Sequence, residues 1–328
     1  MPHGSTDAAR TTGSRGSGRG GYADERGWIL GIGEILWDLL PSGPRLGGAP
    51  FNVVAHLARL GHRVTFLTAV GSDELGHEAL GSIGRFGVDP DLVVVAGLPT
   101  GTVEVTLDSQ GQPGFVIISP AAYEAASVEP AALERIAAAP PTAVVFGTLA
   151  QRSPLVRRAT RQVLEAAPAT MRVYDTNLRE GTWSVPLIKE LLADATVLKL
   201  NDAEVEMLAP LLELPELESE FAAEVAARFD LEAVCVTRGG SGALLWMNGR
   251  GLVAPGVRIE VADTIGAGDA FTAGMVDGLV RGRPPVEILA TANALGAFVA
   301  SRTGAIPDWT RADLENLGAV LEPPRTQG

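Results

Sequence analysis

Cysteine is almost missing from this sequence. Cys235, inside "LEAVCVT", is the single one among 328 residues, which rules out an intramolecular disulfide or a cysteine zinc cluster and points to a reducing, cytoplasmic setting. Long apolar runs are missing too. Nothing approaches 18 unbroken apolar residues, so no membrane span is expected. Residues 1–26 contain "GSTDAARTTGSRGSGRGG" and lack both the apolar core of a secretory signal and any helical periodicity, so they are expected to form a disordered N-terminal extension. Basic charge is in short supply, with 26 Lys and Arg against 39 Asp and Glu and a formal net charge of −13. Such a surface repels phosphodiester backbones and anionic lipid, so neither nucleic acid nor membrane is an expected partner. A small anion such as a nucleotide is not excluded, because a few amides, a lysine and a metal ion outweigh distant charge. The four histidines, His3, His56, His62 and His77, show no paired metal spacing. A P-loop is absent, and "GIGEIL" lacks the third glycine and the following helix of a dinucleotide fingerprint. No internal repeat of fixed period is visible.

What is present is an alternation of short apolar runs and Ala/Leu-rich helical stretches from Trp28 onward. "WILGIGEILWDLL", "RVTFLTAVG", "TAVVFGTL", "RVYDTN", "ATVLKLN" and "LEAVCVT" are nearly continuous rather than alternating, as strands buried on both faces are. With helices between them they predict an α/β domain over residues 27–320 around a mostly parallel sheet. Two segments break the rhythm. "TGTVEVTLDSQGQPGFVIISP" alternates with period two on either side of "DSQGQPG", which predicts an antiparallel hairpin, and Leu36 to Arg45 is strand-like without a helix. Together, from about 36–47 and 98–120, they are expected to form a small β lid over the mouth of the domain. Residues 321–328 are expected to be a C-terminal tail.

Ligands of open parallel sheets bind beyond the carboxyl ends of the strands. In "GVRIEVADTIGAGDAF" a strand is expected to end near Asp263, with a helix starting around Ala267 to Ala270. Gly266 and Gly268 leave amides uncovered at the helix start, where the dipole also favours negative charge. Asp269, in the first turn, suits a helix N-terminus for the same reason. A carboxylate beside an anion cradle is repelled by the anion, however, and makes better sense as the base of a phosphoryl transfer, with Gly266, Ala267 and Gly268 supplying amides. In "GGAPFNVVAHLARLG", Gly47 and Gly48 allow close backbone approach to a hydroxyl-rich ligand, and Asn52 and Asp38 offer donors and acceptors; Asn52 also suits a helix N-cap and Asp38 a turn. "DTNLR" follows a strand, so Asp175, Asn177 and Arg179, spaced by two, are expected on one side, where the arginine fork suits phosphate or carboxylate. Lys199 ends a buried strand, and Asn201 with Glu204 suits a capping box. "VTRGGSGALLW" predicts strand, Gly-rich turn and strand.

These stretches, in this order, resemble the ribokinase/PfkB family of carbohydrate kinases. "DTIGAGDAF" is similar to its C-terminal signature and "GGAPFNVVAHLARLG" to its N-terminal one, with "GEILWD", "DTNLR", "KLNDAE", "VTRGGSGA" and "ATANALGAFVASRTGA" as further matches. The resemblance implies a three-layer αβα sandwich with a β-sheet lid, and ATP-dependent phosphorylation of a sugar, with Mg²⁺. It implies sugar contacts at Asp38, Gly48 and Asn52, with the "DTNLR" segment lining the site near the sugar and the transferred phosphate. It also implies nucleotide or metal handling by "NDAE", with Glu204 linked to Mg²⁺, and ATP contacts at Thr237, Gly239, Gly242 and Asn293. Asp263 is similar in place to residues of potassium-using relatives, and a loop-ordering hydrogen bond is the competing reading. Relatives that pair through the lid make a homodimer an open expectation. The pattern is closest to fructokinase-type members, with Gln151 in the segment where members vary. A 2-keto-3-deoxygluconate kinase is the alternative enzyme, and a non-catalytic sugar- or nucleotide-binding regulator the alternative of another class.

Overall fold

The computed structural model describes residues 27–40, 43–107 and 113–321; the expected N-terminal extension, most of the expected tail and the turn of the expected hairpin lie outside them. The strands are β1 (Trp28–Ile32), β2 (Leu36–Leu40), β3 (Gly43–Gly47), β4 (Arg63–Gly71), β5 (Val93–Ala96), β6 (Gly101–Leu107), β7 (Pro113–Ile117), β8 (Ala143–Gly147), β9 (Met171–Asp175), β10 (Val197–Asn201), β11 (Ala233–Thr237), β12 (Ala243–Met247) and β13 (Arg250–Ala254). The helices are α1 (Ala49–Arg59), α2 (Glu74–Arg85), α3 (Pro130–Ala138), α4 (Pro154–Ala166), α5 (Val185–Asp194), α6 (Asp202–Leu212), α7 (Glu218–Phe229), α8 (Ala267–Val280), α9 (Pro285–Ala300) and α10 (Arg311–Glu315).

Nine strands form the main sheet in the order β13-β12-β11-β10-β9-β8-β1-β4-β5, parallel except where β12 pairs antiparallel with β11 and β13. Its strands are apolar on both faces because both are covered. Leu30, Ile32, Phe146, Tyr174 and Leu200 pack toward α3 to α7, and Ile29, Phe66, Val145, Val173 and Cys235 toward α1, α2, α8, α9 and α10. A second sheet, β3-β2-β6-β7, is the lid. Its hairpin arms β6 and β7 pair antiparallel as expected, while β2 and β6 run parallel.

Strand order reverses at β1, which lies between β4 and β8 although neither neighbour follows it directly in the chain. In open sheets of this kind the ligand crevice lies beyond the carboxyl ends of the strands at such a switch point. α1 and α8 both start there. They are tied at that end by Asn52 to Asp269 and at the other by His62 to Asp277, 2.8 Å apart.

One expected strand does not form. "GVRIEVAD" runs as irregular chain from 256 to 263, where Ala262 and Asp263 donate their amides to the Ala300 carbonyl at the end of α9 and not to a strand.

Candidate active site

α8 begins at Ala267 with Gly266 as N-cap in the left-handed region (φ 76°), and no side chain caps it. A Cβ on Gly266 would collide with Ala305. The Ala267 amide is drawn to the Thr264 carbonyl at 3.3 Å, so Gly268 and Asp269 carry the first-turn amides that have no partner within the helix. The free amides thus stand one residue further into the helix than the 266–268 set expected of the loop.

Asp269 accepts a 2.7 Å hydrogen bond from Asn52 Nδ2. Burial raises its pKa to about 6, against that hydrogen bond; Asp175 adds to the rise, and Lys199 and Arg179 oppose it. Asn52 is buried in the second turn of α1, not at its start. Gly48 is the N-cap, at φ 114°, where a side chain would run into the Glu34 carbonyl. The N-cap reading of Asn52 is thus displaced.

Beneath these amides lies a closed charge network. Lys199, one of only two lysines in the chain, is buried with Nζ 3.1 Å from Asp175 Oδ1, and Thr272 donates to Asp175 Oδ2 at 2.7 Å and to the Gly268 carbonyl at 3.0 Å. Burial alone would lower the Lys199 pKa, but the carboxylates of Asp175, Glu204 and Asp269 outweigh it and hold it above the ordinary value. Lys199 thus sits under the first turn of α8. A Cβ on Gly268 would stand 3.5 Å from its ammonium.

Glu204 closes the expected capping box with Asn201, each side chain taking the other's amide at 2.8 Å. It also accepts from Thr176 Oγ1 and the Leu178 amide, both at 2.7 Å. It therefore clamps the "DTNLR" turn to α6. Asn177 is left-handed (φ 37°), so the alternation of Asp175, Asn177 and Arg179 on one side does not persist. Asp175 turns down to Lys199, and Arg179 remains exposed, within electrostatic reach of Glu34, Asp38 and Asp269.

Asp38 lies within β2, opposite Arg45 of β3, which overturns its turn reading. A Cβ on Gly47 would stand 3.2 Å from its carboxyl. Burial raises the Asp38 pKa while Arg179 and Arg45 oppose the rise. Gln151 is not brought into the crevice. Its Nε2 donates to Thr160 of α4 at 2.8 Å, since the segment Ala150–Arg152 turns as a short 3-10 helix with that side chain inward.

Further along the sheet, Thr237 lies beside Asn201 in the β10–β11 register and donates to the Leu200 carbonyl. Gly239 and Gly242 take positive φ in the following turn, and at Gly242 a side chain would run into the Ala254 carbonyl. Asn293 donates to the Pro255 carbonyl at 3.3 Å. Asp263 accepts from the Ile265 and Gly304 amides at 3.0 and 3.1 Å, which is the loop-ordering role.

Two features were missed in the sequence. Glu34, buried at 4 % exposure, lines a crevice with Pro50, Thr148, Asp175 and Asn177; a lone acid inside the apolar run "ILGIGEILW" was the available signal. His56 is fully buried. Its Nε2–H donates to the Ala305 carbonyl at 3.0 Å and its Nδ1 accepts from Trp309 Nε1 at 3.3 Å, so the ring is neutral and burial lowers its pKa to about 4. It holds the segment that abuts Gly266.

A buried carboxyl thus stands beside uncapped helix amides at the sheet's switch point. The chain belongs to the pfkB family of carbohydrate kinases, whose family model matches residues 44–312. It is 31 % identical over 299 residues to a fructokinase of Klebsiella pneumoniae, covering 85 % of this chain and 94 % of that protein. A fructokinase with bound ATP from Xylella fastidiosa superposes with a TM-score of 0.76 at 23 % identity, covering 89 % of this chain and 98 % of that one. A putative ribokinase II of E. coli in complex with ATP and Mg²⁺ gives 0.76 at 22 %, with the same coverage. The fold is thus the ribokinase-like αβα sandwich with its lid. None of the helices among the described residues is long and apolar enough to cross a membrane.

Proposed function

We propose that this carbohydrate kinase transfers the γ-phosphoryl group of ATP to a primary hydroxyl of fructose. The observation that carries the reading is the 2.7 Å bond from Asn52 to Asp269, which joins the sugar-side signature to the base. Asn52 fixes Asp269 Oδ2, and the carboxylate takes the proton of the attacking hydroxyl. With a pKa near 6 it is ionised at neutral pH yet more basic than an ordinary aspartate, as a general base should be. The amides of Gly268 and Asp269 face the charge of the transferred group, with Lys199 below them. Asp38, Gly47, Gly48 and Arg179 border the acceptor, and Thr237, Gly239, Gly242 and Asn293 the nucleotide.

Among the described residues no group of three or more His, Cys, Asp or Glu side chains is placed to hold a metal ion, and protein donors already occupy both Glu204 oxygens. Mg²⁺ commonly rests on one or two carboxylates together with water and phosphate oxygens, so Glu204, engaged by Asn201, Thr176 and Leu178, would act on it indirectly. Glu204 acts by holding the turn at 176–178.

Fructose is favoured by the fructokinase relative. The exposed Arg179 guanidinium, which donates to the Leu178 carbonyl at 3.3 Å, favours a second reading, a carboxylate acceptor such as 2-keto-3-deoxygluconate. An ADP-release screen over ketoses, aldoses, keto-deoxy acids and nucleosides separates these. Preference for fructose supports the first reading, and preference for 2-keto-3-deoxygluconate replaces it with the second. Absence of turnover with every acceptor leaves a non-catalytic binder.

A further inference from the structure

Around the acceptor side of the cleft, buried polar atoms stand without partners: Glu34 Oε2, Asn52 Oδ1 and Tyr123 Oη. Buried polar groups are nearly always satisfied in native proteins, so each such orphan needs a reason. Glu34 is the most informative. It follows β1 at the switch point, and its peptide carbonyl is the surface against which Gly48 packs. Its carboxyl group lies within reach of the Ala150 amide and its own, Oε2 is buried without a partner, and the residue lines the crevice. That crevice also includes Pro50, Thr148, Asp175 and Asn177 and has a volume of about 10 Å³, room for little more than one oxygen-sized group.

Resting on the reading of this cleft as the acceptor site, we infer that Glu34 is a specificity-determining residue whose Oε2 is hydrogen-bonded to one hydroxyl of the bound sugar. A slot of this size, apolar along Pro50 and polar at Glu34, accepts a single hydroxyl and leaves a buried carboxyl unpaired when that hydroxyl is missing. Sites built to pair a hydroxyl reject the analogue without it far more strongly than apolar pockets reject a methylene. Burial raises the pKa of Glu34 to about 7; nearby Asp269 reinforces the rise and Arg179 opposes it, and Tyr123 faces the group as well. The acid form is therefore well populated near neutrality and offers Oε2–H to a hydroxyl oxygen.

The test is a protein–ligand mutant cycle. kcat/KM is measured for the preferred sugar and each of its mono-deoxy analogues with wild type, Glu34→Leu, Glu34→Ala and Glu34→Gln. In the wild type one analogue should lose tenfold or more. That penalty should shrink below threefold in Glu34→Leu, or in Glu34→Ala should the leucine variant fail to fold, while the other penalties and the KM for ATP stay within twofold. Glu34→Gln, which keeps a donor and an acceptor, should retain the discrimination. Penalties unchanged at every position in a folded Leu or Ala variant would overturn the inference and leave Glu34 a packing residue or the partner of a resident water. Absence of turnover with any sugar in the wild type would instead overturn the reading of the cleft, and the role of Glu34 with it.

Discussion

The two halves of the cleft are built on opposite terms. On the side proposed to meet the phosphoryl group the polar groups answer one another: Asp175 with Lys199 and Thr272, Glu204 with Asn201, Thr176 and Leu178, Asp263 with Ile265 and Gly304. On the acceptor side Glu34, Asn52 and Tyr123 each keep an unpartnered buried atom. Charge that must be stabilised during transfer is met by dipoles already fixed in place, which costs no reorganisation. Selection of an acceptor works the other way, by leaving groups that only the right ligand satisfies.

Substitutions on the two sides should therefore fail differently. The largest effect is expected at Asp269. Asp269→Asn should lower kcat by roughly 10² to 10⁴-fold, the worth of a general base, with ATP affinity retained in a titration by calorimetry. The same variant should melt higher at pH 7. The folded carboxyl has a pKa of about 6 against an ordinary 3.8, so the fold binds the proton more tightly. Its contribution to stability is full below about pH 4 and is lost as pH rises through 6. The neutral amide avoids that cost, on the order of 3 kcal/mol for a shift of about two units.

Next comes the buried pair. Asp175→Asn leaves the Lys199 ammonium buried without its partner and should cost about 3 to 5 kcal/mol in urea unfolding. Adding Lys199→Met should recover part of that loss, whereas two additive penalties would show that the pair is not coupled. Smaller again is His56→Phe, which orphans the Ala305 carbonyl and the Trp309 indole N–H. About 2 kcal/mol of stability should go, and because Ala305 abuts Gly266 the KM for nucleotide should rise several-fold while the KM for sugar changes little. Equal rises in both would disconnect His56 from the cradle.

Much of this was legible in the chain. Continuous apolar runs gave the parallel strands, period-two alternation gave the lid hairpin, and the glycines of "DTIGAGDAF" marked an uncapped helix start. Local propensity misled where a tertiary partner decides the outcome. Asn52 suits an N-cap, but Gly48 takes that place because only a residue without Cβ fits against Glu34, which frees Asn52 for Asp269. "GVRIEVAD" alternates like a strand and finds no neighbour to pair with. Gln151 lies in the right segment and turns inward. Glu34 was hidden for the opposite reason: its meaning lies in what it does not contact, and sequence records no unfilled valences.

The most direct test of the central claim is the pH dependence of the rate with both substrates well below KM, which reports groups of the free enzyme. Asp269 as base predicts a rate that climbs about tenfold per pH unit on the acid side and bends near pH 6, its pKa in this site. A rate that is flat between pH 5 and 7, or that falls across that range, would contradict it.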